Sequence, residues 1–461
     1  MKKKRKHYSP QYFQLSTFNF QLKISLLFTF YFLLSTPSYA QKRTKKPRPI
    51  QVEVPSSTLI YDDINYIPEI KTVAFYNLRE EQSFPILNLG SGEQLLLRFD
   101  DLRGGRRNLY YSVTHCNSDW TPSSITTIDY LESFSEEFVN TYQLANNTYQ
   151  NYTHYEITLP NLSIVPKISG NYLVKVYENG DASKLLLSRR FYIVEPKVAV
   201  QAEIAPSFVV SNRDSNQKIN FTIFHPNLNI QNAYQEITAT VMQNQKNYTA
   251  KNTKVPLFIR KNSLVYSDNL TNDFAGGNEF RRFDTRSFRY NSEGVYQTIK
   301  DSIFTVNLFT DLDRSKKGYT FQFDEDGNFY TLNQDGFDPQ YDADYANVNF
   351  VLKAEAPDPN GFAYVVGKFN AYQTNETNRM FYNAERKEFT LTTRLKQGLV
   401  EYQYVWADAD GKIIYDNIFE GNFFETENDY QILIYYRAPS ARFEQLVSFT
   451  ELNSIKNPRN F

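Results

Sequence analysis

The chain has 461 residues, 41% hydrophobic and 22% charged, which excludes a disordered polymer and a single small core; at about 100–200 residues per domain it implies roughly two to four domains. Six of its 50 basic residues and none of its 51 acidic ones lie in residues 1–40, which leaves a body of 44 basic against 51 acidic residues and excludes a general nucleic-acid binder. One cysteine, Cys116, excludes an intrachain disulfide and a paired-cysteine metal knuckle, and four histidines (His7, His115, His154, His225) argue against histidine-rich metal or acid–base chemistry.

Residues 1–40 read as a secretory signal peptide. Lys2–Lys6 form a basic start, Ile24–Leu34 an apolar run, and Ser38-Tyr39-Ala40 a small-residue cleavage site before Gln41. The apolar run is shorter than the ~20 residues a spanning helix needs. Residues 41–66 open with a basic, proline-containing leader and stay polar, so they are expected to form a flexible basic arm.

Residues 67–197 are expected to form an N-terminal β-sandwich. Aromatics make up 16% of the chain and favour pleated, half-buried surfaces. Short alternating runs recur at Gln94–Phe99, Asn108–Thr114, Tyr155–Leu159, Tyr172–Tyr177 and Leu185–Val194. In Tyr172–Tyr177, period-two alternation puts Tyr172, Val174 and Val176 on one face, and Asn179-Gly180-Asp181 supplies a hairpin turn. The best helical candidate, about Tyr130–Tyr142, is short. Glu195-Pro196-Lys197 closes the block. Residues 198–343 are expected to form a middle β-rich domain with a polar excursion at 267–300, and residues 344–461 a C-terminal sandwich. The fold class is therefore all-β, tandem immunoglobulin-like β-sandwich domains behind a signal peptide.

Few strings carry chemistry. Gly90-Ser91-Gly92 begins like a dinucleotide loop, but Leu95 replaces the third glycine and the βαβ setting is missing. Asp324–Asn328 and Asp408–Gly411 look like calcium loops, yet their glycine falls at position four instead of six, so both read as turns. His115 and Cys116 are neighbours on a strand and point to opposite faces, which makes them poor catalytic partners. Phe280-Arg281-Arg282-Phe283-Asp284-Thr285-Arg286 reads as an Arg–Asp network tying down a loop, with a partner-contact loop as the sharper alternative.

Gly367-Lys368-Phe369-Asn370-Ala371-Tyr372, followed by Leu399-Val400-Glu401-Tyr402-Gln403-Tyr404-Val405, resembles early-set immunoglobulin-like modules that include glycogen-binding domains. Tyr372 stands where those modules place a sugar-stacking tryptophan, though a core role suits it better. Ile70–Val73, Ser91–Leu95 running into Phe99-Asp100-Asp101-Leu102, His115–Trp120, Tyr152–Tyr155, Gly170–Tyr177, Arg189-Arg190-Phe191 and Asn278–Arg286, in this order, resemble the plug protein family of the type IX secretion system of Bacteroidota. The resemblance spans residues 66–450. It implies a periplasmic, non-enzymatic protein that binds the outer-membrane β-barrel translocon channel and closes its periplasmic opening when idle. It brings no catalytic, cofactor-binding or metal residue, no nucleic acid and no small-molecule substrate. The alternatives are a glycan-binding β-sandwich protein of the cell envelope and a hydrolase built on His115 or His154 with nearby carboxylates.

Overall fold

Period-two alternation builds the architecture. In the strand Leu95–Asp101, Leu95, Leu97 and Phe99 turn to one face and are fully buried, while Leu96, Arg98 and Asp100 turn to the other. A computed structural model describes residues 54–456; the expected signal peptide and residues 41–53 of the expected arm lie outside the described residues. Their regular structure is almost entirely strand, with α-helices of only four residues at Thr127–Tyr130, Ala233–Glu236 and Pro339–Asp342. No helix among them is long and apolar enough to cross a membrane.

The first sandwich faces two sheets. One orders Ile64–Asn65, Leu185–Val194, Gly170–Glu178, Leu109–Cys116 and Glu136–Phe138, with Ile86–Asn88 parallel to Leu185–Val194; the other orders Ile70–Asn77, Leu95–Asp101, Thr153–Leu159 and Thr141–Leu144. Tyr172, Val174 and Val176 enter the core between them, as their alternation predicts. Asn179 and Gly180, at φ +59° and +72°, form the expected hairpin turn.

Two local expectations are corrected here. Beyond its first residue, Tyr130–Tyr142 is not helical. Phe134, Phe138 and Tyr142 have the spacing of a helix face, but Phe138 sets its ring edge-on to Tyr110 at 5.2 Å in one sheet and Tyr142 meets Tyr155 at 6.0 Å in the other. The segment crosses between the sheets as two short strands. The last part of the expected flexible arm is also fixed in place. Val54 is buried, Ile64–Asn65 pairs with Leu185–Val194, and Asp62 lies 3.1 Å from Arg190 Nη1. Asn247 Nδ2 donates to Asp62 and Asp63, both at 2.9 Å. The polar run looked solvated because its partners lie far away in the chain.

The second and third sandwiches are interleaved. One sheet of the second holds Ala199–Pro206, Asn216–Phe224, Ser263–Tyr266 and Phe258–Arg260, with Asp273–Ala275 also on Asn216–Phe224. Its other sheet orders Lys251–Thr253, Ile237–Gln243, Asp429–Tyr436 and Gln445–Asn453. The third lies between Ala275 and Asp429 in the chain. It pairs a sheet centred on Gly398–Ala407 with one ordering Val295–Ile299, Phe304–Leu308, Tyr345–Lys353, Glu388–Lys396 and Phe381–Asn383. A division at 343/344 therefore does not separate the sheets, and the excursion at 267–300 carries the strands Asp273–Ala275, Arg281–Asp284 and Val295–Ile299.

A further core joins the first sandwich to the second: Phe84, Tyr192, Val194, Met242, Leu433, Tyr435 and Leu446. Phe84 and Phe449 stack at 5.3 Å, and Tyr435 Oη donates to Asn171 Oδ1 at 2.8 Å. Leu433→Ala is expected to lower the unfolding free energy by about 2–5 kcal/mol, the usual cost of a buried leucine cavity. Hydrogen exchange should then quicken in Leu185–Val194 and Ile237–Gln243 together; acceleration confined to the second sandwich would contradict a shared core.

Candidate functional site

His115 is 1% exposed, with Nδ1 at 2.5 Å from Ser123 Oγ and Nε2 at 3.3 Å from the Ser169 carbonyl. Burial pushes its pKa down to about 4. Burial pushes the Cys116 thiol up to about 12, away from the thiolate a nucleophile needs, and its Sγ lies 3.7 Å from the Thr114 carbonyl oxygen. Tyr372 is 6% exposed, packed beside Phe280 and Tyr248, so its ring offers no face to a sugar.

The Arg string forms the strand Arg281–Asp284. Arg281 Nε donates to both Glu420 oxygens at 3.0 Å, its Nη1 reaches Asp311 at 2.8 Å, and its guanidinium lies 5.2 Å from the Tyr404 ring centre. Arg286 grips Asp284, and Arg282 pairs with the half-exposed Glu293 at 2.9 Å. This is the structural network expected of the string, with only Arg282 and Arg286 near solvent.

Asp408–Gly411 is the hairpin turn before Ile413–Tyr415, closed by Gly411 N donating to Asp408 O at 3.1 Å. In the other loop, Glu401 accepts from Glu325 N at 2.9 Å and Gly327 N at 3.0 Å. Burial and then the neighbouring Asp324 push Glu401 up to about 8, and burial pushes Asp324 up to about 6. Among the described residues, no three of His, Cys, Asp and Glu are placed to hold a metal ion.

The junction between the first and third sandwiches is the most heavily constructed polar feature. Asp100 has no exposure, and its carboxylate accepts from Lys396 Nζ at 2.7 Å and Tyr345 Oη at 2.7 Å and meets His154 Nδ1 at 2.6 Å. Thr72 Oγ1 lies 2.6 Å from the same tyrosine hydroxyl. A bulge puts it there: Thr72 and Val73 stand between Lys71 and Ala74, the register partners of Asp100 and Arg98, and Thr72 takes φ +52°. Lys396 also donates to the Gln340 carbonyl at 2.9 Å and sits 4.2 Å from the Tyr152 ring centre. Apolar packing continues the contact, since Ala74 and Tyr76, on the outer face of the first sandwich, belong to the core of the third.

Burial alone would raise Asp100, but Lys396 and His154 outweigh it and hold the carboxyl below its ordinary value. Burial likewise opposes a charged His154, and the Asp100 carboxylate outweighs that and raises the imidazole pKa. His154 is therefore part of a structural weld. Lys396 and Tyr345 carry no motif, and nothing in the sequence pairs position 100 with 396.

With this geometry in place, comparison with known proteins decides the family. The sequence model of the type 9 secretion system plug protein 1st domain matches residues 70–195, which is the first sandwich apart from its leading strand. The crystal structure of a hypothetical protein from Parabacteroides merdae ATCC 43184 is 30% identical and superposes with a TM-score of 0.82, over 86% of this chain and 100% of that one. The chain belongs to the type IX secretion system plug protein family. A role connected with type IX secretion and a place in the cell envelope follow from that membership. A search of curated proteins returned no match.

Asp100→Asn is expected to cost about 3–5 kcal/mol, because it leaves Lys396 and His154 buried without their counter-charge. The pH dependence has two sides. The contribution of His154 is complete below about pH 6.5 and is lost as pH rises through its raised folded pKa; that of Asp100 is present above about pH 3.9 and is lost as pH falls through its lowered one. The stability gap between wild type and His154→Gln in urea titrations should thus shrink as pH rises beyond about 6.5. A gap independent of pH would contradict the weld.

Proposed function

We propose that this plug-family protein sits in the periplasm, peripherally associated with the outer-membrane translocon, and closes the periplasmic opening of the β-barrel channel when no substrate is in transit. The observation that carries this reading is the plug-domain match over the first sandwich, together with a relative aligned along its whole length. Rigidity supports it. A stopper must keep its volume against a moving load, and here three sandwiches share cores and buried ion pairs. The protein works by shape and surface fit, without bond-making chemistry: His115 is buried neutral, Cys116 is protonated, and His154 and the string arginines are held by structural partners. Its partner is the channel, not a nucleic acid or a small molecule.

The buried, protonated Cys116 leaves a clean background for introduced cysteines. Phe134, Leu162, Phe337 and Phe381 are 64%, 98%, 104% and 72% exposed, on the first and third sandwiches. Cysteine placed at each in turn, with a short homobifunctional linker in native outer membranes, should join the protein to a very large β-barrel polypeptide from at least one position. Deletion should also raise permeability to large solutes only in strains that retain the channel. Monomer alone at all four positions, with permeability unchanged, would contradict the proposal.

A further inference from the structure

The second sandwich carries a hairpin for which closing a channel has no evident use. The edge strand Phe258–Arg260 pairs with Ser263–Tyr266 and, among the described residues, with nothing on its outer side. The segment reads Lys254-Val255-Pro256-Leu257-Phe258-Ile259-Arg260-Lys261. Val255, Leu257, Phe258 and Ile259 are 64%, 46%, 55% and 51% exposed. Register puts apolar groups on both faces. Phe258 and the exposed Phe224 share one face, because Phe224 and Arg260 both pair with Ser263; Ile259 and Leu257 extend the other, beyond the buried Leu264 and Ile223.

So contiguous an apolar run is rarely left in water without a use. Cations bound it. Lys254, Arg260 and Lys261 are exposed, the segment holds no acidic residue, and none of the three makes an ion pair among the described residues. Lys254 does lie near enough to Asp119 to help hold that carboxyl low.

Two kinds of surface accept such an edge. A strand added by a partner protein needs a long, flat edge with free N–H groups. This one has three residues, is preceded by Pro256, which has no N–H, and is flanked by charge, all devices that block strand addition. A lipid surface accepts an edge that exposes apolar side chains on both faces with cations flanking them, and that is the arrangement present: Leu257, Phe258 and Ile259 lie along the edge, with Lys254 before them and Arg260 and Lys261 at the turn. We propose that the Lys254–Lys261 edge segment is a membrane-surface contact for anionic phospholipid, in which Leu257, Phe258 and Ile259 along the edge enter the acyl boundary and Lys254, Arg260 and Lys261 at its two ends remain at the phosphates. The inference does not depend on channel closing, and vesicles contain no channel.

The test is co-sedimentation of the full chain with vesicles of phosphatidylglycerol and phosphatidylethanolamine against vesicles of phosphatidylcholine alone. The protein should partition onto the anionic vesicles. The double variant L257S/F258S, exposed and so expected to leave the melting curve unchanged, should weaken partitioning at least about tenfold. R260Q/K261Q should weaken it about 25-fold, roughly fivefold per cation lost. F258W adds a direct readout, because Trp406 is buried and Trp120 is half-covered: its emission should shift to the blue on anionic vesicles. Absence of binding, equal binding to both vesicle types, or binding unaffected by L257S/F258S would overturn the inference. So would vesicle-bound F258W with unshifted emission, which would assign the lipid contact to another segment such as the basic residues before residue 50.

Discussion

A carboxylate sealed from water fixes how the first sandwich meets the third. Asp100 is placed outward on its strand by the alternation that sends Leu97 and Phe99 inward. It would be costly there alone. Lys396, Tyr345 and His154 satisfy it from two different sandwiches, and without it Lys396 and His154 would be left buried without their counter-charge. Such a cluster tolerates one arrangement of the bodies that carry it, because sliding either by an ångström or two breaks several charge-assisted hydrogen bonds at once. The apolar contacts of Ala74 and Tyr76 contribute affinity, and the polar cluster contributes registration.

Chain topology adds a second constraint. The third sandwich is inserted between strands of the second, so the two are joined by two covalent crossings in place of one hinge. Both crossings are tied down. Gly276 packs so closely that a Cβ there would meet the Phe423 carbonyl oxygen at 2.0 Å. Asn428 Nδ2 donates to Gln217 Oε1 at 3.1 Å and to the Gly276 carbonyl at 2.8 Å. The shared core around Leu433 closes the remaining side, so each sandwich is held to the other two. A body built this way can meet a partner over a wide surface without losing internal order, which suits reversible docking better than tandem modules on linkers.

Much of the architecture was legible in the sequence because strand alternation is a local signal. Tyr172, Val174 and Val176 face the core as their spacing requires, and Asn179-Gly180 turns where its chemistry demands. Asp408–Gly411 likewise behaves as a turn. What failed was long-range. Nothing near Asp62 and Asp63 announces Arg190 or Asn247, so a docked segment looked free. Nothing near Asp429 announces that its strand completes a sheet begun at Ile237. The expected helix over Tyr130–Tyr142 failed for the same reason, since Phe138 and Tyr142 serve two different sheets. Asp100 stood inside a family-like string, but its weight in the structure comes from Lys396, almost three hundred residues away.

The central claim is that the three sandwiches move as one body. Spin labels on L162C in the first sandwich and F381C in the third, with double electron–electron resonance on the free protein and on the protein bound in native membranes, test it most directly. The account predicts a single narrow distance distribution, the same in both states. A broad or two-peaked distribution, or one displaced on binding, would mean that the first sandwich swings on the third, and would contradict it.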